Sequence, residues 1–186
     1  DVVHGTQLHG ARGHDLGAAA GQLQHLFVGD CRKLARARLD LLLSLGTTTV
    51  ECKSGYGLST DAELKQIAAL EEAVAGHSID AVSTFLGAHE FPPEYANDRD
   101  GYVRLLIGEM IPAVADAGLA EWCDVFCETG VFTDEESQRI LVAGQRAGLK
   151  ARIHADELGA SGGSQVAAAV GARSADHLIF VPPDGI

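Results

Sequence analysis

From residue 47 onward, short β-branched runs alternate with longer runs of helical pattern, and that alternation constrains the fold more than anything else in the chain. The strand-like runs are 47–54 (TTTVECKS), 78–89 (SIDAVSTFLGAH), 122–128 (WCDVFCE), 149–155 (LKARIHA) and 174–180 (SADHLIF). Between them lie helical patterns over 59–77, 101–118, 133–148 and 162–172. The first has apolar Leu64, Ile67, Ala68, Leu70 and Val74 at helical spacing. The third opens on Thr133 with Glu136 three residues on, the pattern of a capping box. The strand-like runs stand too far apart for hairpins. Repeated βα units of this kind imply a parallel sheet, either doubly wound or closed into a barrel. No G-x-G-x-x-G follows a strand, so a dinucleotide site has no support.

Parallel α/β folds place their chemistry at the carboxyl ends of strands. Tyr56, His89, Glu128, His154 and His177 all fall late in a strand-like run or just after it. Parity sharpens one of them. In LKARIH, Leu149, Ala151 and Ile153 alternate with Lys150, Arg152 and His154, so one face is apolar and the other ends in His154.

The first 46 residues read differently. Only 29–46 has a helical pattern, with Asp30 as a candidate cap. His4, His9 and His14 recur at a spacing that fits neither one strand face nor one helix stripe, so they read as incidental. Residues 1–30 therefore form a poorly matching N-terminal segment, and 31–186 the βα unit series.

Composition narrows the partners. The formal net charge is −12, which argues against nucleic acid or an anionic membrane surface. The basic cluster Arg32, Lys33, Arg36 and Arg38 reads as a solvated helix face. No apolar run is long enough for a membrane span. The cysteines, Cys31, Cys52, Cys123 and Cys127, form no CxxC pair. Cys123 and Cys127 sit in an apolar stretch, as buried thiols do in a reducing cytoplasm.

Taken singly, each polar residue has an ordinary reading. A strand histidine is more often hydrogen-bonded structure than a ligand. Asp156 reads as a turn or N-cap residue, Lys53 and Glu51 as a solvated face, and Gly55 and Gly57 as a tight turn. Together they carry more. GAHE, IHADE and ADHLI each end a strand in histidine with an acid nearby, and KSGYG ends a fourth. Metal-assisted hydrolysis needs neutral imidazoles, an acid/base group and donors for a developing oxyanion. Successive strand ends of a parallel barrel bring such groups to one place.

TTTVECKSGYGL, STFLGAHEFPPEY, DVFCETGVF, IHADEL and SADHL, in this order and spacing, resemble the imidazolonepropionase family of the amidohydrolase superfamily over about residues 32–182. The resemblance implies part of a (β/α)8 barrel, about strands 2 to 6. It implies a cytoplasmic, homodimeric enzyme of histidine degradation that holds one zinc or iron and opens 4-imidazolone-5-propanoate to N-formimidoyl-L-glutamate. It implies His154 as a metal ligand, Glu157 and His177 as catalytic groups, and Tyr56, His89 and Glu157 as substrate-binding groups. Lys53 and Glu128 are secondary candidates around the site.

The family's H-x-H metal pair has no counterpart in this sequence, and its late aspartate ligand is expected beyond Ile186. The resemblance therefore implies a fragment whose barrel is incomplete, which on its own retains no metal and is inactive. Two other readings stay open: an amidohydrolase acting on another cyclic amide, and a non-catalytic barrel fragment.

Overall fold

The computed structural model describes residues 28–186, so His4, His9, His14 and nearly all of the 1–30 segment lie outside the described residues. Helix α1 (Val28–Ser44) leads into β1 (Thr49–Lys53), α2 (Thr60–Val74) and β2 (Asp80–Ala88). Then come α3 (Arg99–Leu105), a π turn (Leu106–Met110), α4 (Ile111–Asp116) and β3 (Trp122–Cys127). Helix α5 (Asp134–Arg146), β4 (Lys150–Ala155), α6 (Gly163–Val170) and β5 (Ser174–His177) complete the series.

All four strand pairings are parallel, and the strands lie in the order β1-β2-β3-β4-β5. That order decides between the two architectures. A doubly wound sheet reverses its order at a switch point, whereas a barrel advances in one direction. Curvature gives the same answer. A flat sheet would put β1 and β5 about 19 Å apart at the usual strand spacing. Yet Lys53 on β1 and Asp176 on β5 meet at 2.8 Å. The five strands are thus a curled half-barrel, and its lumen is narrow enough for one lysine to span.

The outward face of the sheet carries the core. Phe85, Cys123, Val125, Cys127, Ala151, Ile153 and Ala155 pack there against Tyr102, Leu106, Met110, Ile140 and Leu141 of the helices. Cys123 and Cys127 are buried free thiols. A second cluster of Leu39, Val50, Ala73 and Ile79 joins α1 and α2 to the edge of the sheet. The basic stripe of α1 is mostly exposed, though Arg36 also donates to the Ala73 carbonyl at 3.0 Å and ties α1 to α2. No described helix is long and apolar enough to cross a membrane.

Three local expectations are corrected. Asp30 is not a cap; it lies in the first turn of α1, where its charge favours the helix N-terminus. The 101–118 helix is interrupted by the π turn. Pro112 has no N–H and its ring crowds the carbonyl of residue 108, so the wider turn accommodates it. Finally, β5 stops at His177 rather than continuing to 180. His177, its last residue, and Leu178 have φ of 73° and 54°, outside the extended region, so the strand cannot run on.

One irregularity positions the site. Phe85 and Ala88 both face the outer core although they are three residues apart, because the β2–β3 register shifts between them. Strict alternation would have sent residue 89 outward with Phe85. The bulge turns His89 to the lumen instead, a common use of bulges beside active sites. Gly87 makes it possible, since a Cβ there would lie 2.4 Å from Phe85 Cζ and 3.0 Å from Leu106 Cδ2. Gly87→Ala should cost about 1–3 kcal/mol in urea unfolding. A loss near zero would show that Phe85 can move aside.

Candidate active site

The lumen face is charged where most barrels are apolar. Glu51 and Lys53 on β1, Asp124 on β3, Arg152 and His154 on β4, and Asp176 on β5 form one network. Lys53 Nζ donates to Asp124 Oδ2 at 2.7 Å and to Asp176 Oδ2 at 2.8 Å. Arg152 Nη1 donates to Glu51 Oε2 at 2.8 Å, and Thr84 Oγ1 donates to Glu51 Oε1 at 2.5 Å. The Asp124 carboxylate meets His154 Nδ1 at 3.1 Å. Burial opposes the charge on Asp124, but the His154 imidazole and the Lys53 ammonium prevail and lower its carboxyl to about 2. Arg152 also stacks on the Trp122 ring, 4.1 Å from its centroid.

Above this layer the strand ends carry a row of rings. Tyr56 packs edge-on against His89 with centroids 5.0 Å apart. His89 lies 6.0 Å from Phe126, Phe126 lies 5.9 Å from His154, and His154 lies 5.3 Å from His177. His177 Nε2 in turn meets Glu157 Oε2 at 3.3 Å. All five sequence-predicted site residues thus come together along one rim. Burial, together with the nearby His154, pushes His89 below the usual histidine range. His89 is accordingly neutral at pH 7, with Nδ1 against the Gly55 carbonyl at 3.2 Å.

The loops that hold these groups are built from carboxylates. Glu63, fully buried, accepts Gly55 N–H on Oε2 and both Gly57 and Leu58 N–H on Oε1, each within 2.8–2.9 Å. It fixes the turn that presents Tyr56, including the positive φ of Gly55 and Leu58. Glu63→Gln puts an amide N–H₂ against a backbone N–H and should destabilise the fold by about 1–3 kcal/mol. Thermal unfolding beside the intact protein tests this, and an unchanged midpoint would mean that water takes over the lost contact.

Glu128 does the same for the loop after β4. It accepts Glu157 N–H at 3.0 Å and Leu158 N–H at 2.9 Å, so its carboxylate supports Glu157. Asp156 is indeed a turn residue; the N-cap position of α6 belongs to Gly162, but the Asp156 carboxylate reaches that helix's first turn. With φ 52° and no exposure, it accepts Ser161 N–H at 2.8 Å and Ser164 N–H at 3.1 Å at the start of α6.

Sequence reasoning missed Asp124, Asp176, Phe126 and Glu63. The signal for Asp124 was present, since a carboxylate in the middle of an apolar strand requires a partner. Asp124, His154 and Asp176 each offer a ligand atom, all within 4.8 Å of one another. Imidazole and carboxylate suit zinc and iron alike, but here the Lys53 ammonium already takes one oxygen of each carboxylate. With Nδ1 of His154 committed to Asp124, Nε2 is the nitrogen left for a metal, the arrangement metal-binding histidines commonly show. His154 therefore fits a metal site as a single ligand with its orienting carboxylate.

No protein-family model matches the chain. Among curated proteins, it is 54% identical over 169 residues to an imidazolonepropionase of Shouchella clausii (strain KSM-K16), covering 91% of this chain and 36% of that protein. The chain belongs to the imidazolonepropionase family. An imidazolonepropionase of Geobacillus thermodenitrificans (strain NG80-2) is 55% identical over 152 residues, 82% of this chain and 36% of that protein. One of Haloarcula marismortui (strain ATCC 43049 / DSM 3752 / JCM 8966 / VKM B-1809) is 50% identical over 150 residues, 81% and 35% respectively. The chain spans about a third of the length of the imidazolonepropionases it matches.

Proposed function

We propose that this chain supplies the strand 2 to 6 portion of an imidazolonepropionase site, which hydrolyses 4-imidazolone-5-propanoate to N-formimidoyl-L-glutamate. The observation that carries the reading is the Glu157–His177 contact at 3.3 Å, set beside the His154 ring at the barrel rim. A zinc or iron ion on His154 Nε2 would supply Lewis acidity and a water of lowered pKa. The H-x-H pair implied by the resemblance is absent from the sequence, so the remaining donors come from outside this chain.

The chain's own residues do the rest. Glu157 takes the proton of the attacking water as its oxygen bonds to the ring carbonyl carbon. His177, whose Nε2 lies 3.3 Å from Glu157 Oε2, stands beside the carbonyl oxygen and stabilises it as that oxygen gains charge. Glu157 then returns the proton to the ring nitrogen, and the C–N bond breaks. Tyr56 and neutral His89 contact the ring from the opposite end of the rim, where the Glu63-clamped turn holds Tyr56. Our reading further includes a cytoplasmic homodimer; the buried free thiols Cys123 and Cys127 suit a reducing compartment.

The test uses protein expressed from its complete coding sequence. Metal content is measured, and imidazolone propionate is followed to formimidoyl-glutamate. Near-stoichiometric zinc or iron with turnover is the expected result. Metal-loaded protein that leaves this substrate untouched and opens a different cyclic amide would overturn the substrate assignment.

A further inference from the structure

Among the described residues, Lys53 is the cation that joins two lumen carboxylates from different strands. One of them, Asp124, is wholly buried, so no solvent shares in its orientation. A carboxylate turns about its Cβ–Cγ bond unless both oxygens are held. Val125 N–H holds Oδ1 at 2.8 Å, and Lys53 Nζ holds Oδ2 at 2.7 Å. With both fixed, the carboxylate face offered to His154 Nδ1 at 3.1 Å is fixed as well. A histidine whose Nδ1 meets such an acceptor keeps its proton there and leaves the Nε2 lone pair open.

We propose that Lys53 is a positioning residue of the metal site: through Asp124 it locks His154 in the tautomer and ring orientation that present Nε2 to the metal. The proposal rests on the reading of His154 as a ligand. It contrasts with an arrangement in which the metal replaces the ammonium among Asp124, His154 and Asp176. The two differ in sign. Removing Lys53 weakens metal binding if the lysine positions the ligand, and strengthens it if the lysine occupies the metal's place.

The experiment measures zinc dissociation against a chelator, and the visible spectrum of the cobalt(II) form, in protein expressed from its complete coding sequence. Lys53→Met is expected to weaken zinc binding about ten- to a hundred-fold and to broaden the cobalt bands. Lys53→Arg is expected to recover most of the loss. Asp124→Asn should weaken binding by a similar factor. The double variant should be no weaker than Asp124→Asn alone, because both changes act along one path. Unchanged or tighter zinc binding by Lys53→Met overturns the proposal. If that variant does not fold, unchanged zinc binding by Asp124→Asn overturns it instead. Unaltered protein that holds no metal and shows no turnover sinks the reading of His154 itself. Intact metal binding and turnover with no effect of Lys53→Met sinks only the role of Lys53.

Discussion

Lys53→Met should lower the free energy of unfolding by about 3–5 kcal/mol, the usual cost of leaving a buried charge without its partner. The lysine is 19% exposed, and its two close partners, Asp124 and Asp176, are 0% and 5% exposed. Methionine matches the stem in length but carries no charge, so two carboxylates that shared one ammonium face each other across the lumen. Asp124 keeps its contacts with Val125 N–H and His154, whereas Asp176 loses the 2.8 Å contact. The double change Lys53→Met with Asp176→Leu removes a carboxylate as well and should regain part of the loss, since an apolar replacement of a buried pair is often close to neutral. Urea unfolding of the single and double variants decides the matter. A single-variant loss below about 1 kcal/mol, the size of an exposed ion pair, would mean that water reaches these carboxylates.

Glu157→Gln is the second large effect. The amide preserves shape but cannot accept the water proton, so kcat should fall about 10²- to 10⁴-fold, the usual contribution of a general acid/base group. Metal content should stay unchanged, because Glu157 is read as a proton carrier and not a ligand. The loop itself should survive, since the N–H groups of Glu157 and Leu158 are held by Glu128. A variant that loses metal in step with activity would recast Glu157 as a ligand. Full activity would remove it from the mechanism.

The order of elements was open to reading because a parallel βα repeat leaves a period in the sequence. Alternation along LKARIH likewise placed Ile153 in the core and His154 in the lumen, as found. Strand-end position singled out Tyr56, His89, Glu128, His154 and His177, and four of these, Tyr56, His89, His154 and His177, lie along one rim. Other features leave no such trace. The bulge that turns His89 inward breaks the parity on which such reading depends, and its one sign was a glycine inside a strand. Glu63 reads as an ordinary acidic residue in the first turn of a helix, and only the fold shows that it is buried beneath a loop. The lumen network joins residues as much as 123 positions apart, and no local pattern can specify their meeting.

That separation bears on how the site comes into being. Lys53 and Asp176 belong to the first and last strands described, so their contact closes a loop over every intervening βα unit and is made only when all of them are in place. A slip of one residue in any strand would send its inner side chain to the helix face, and the lysine would find hydrocarbon where it needs a carboxylate. The bridge thus serves as a check on assembly, completed only by a chain in the right alignment, and on our proposal His154 is oriented by that same lysine.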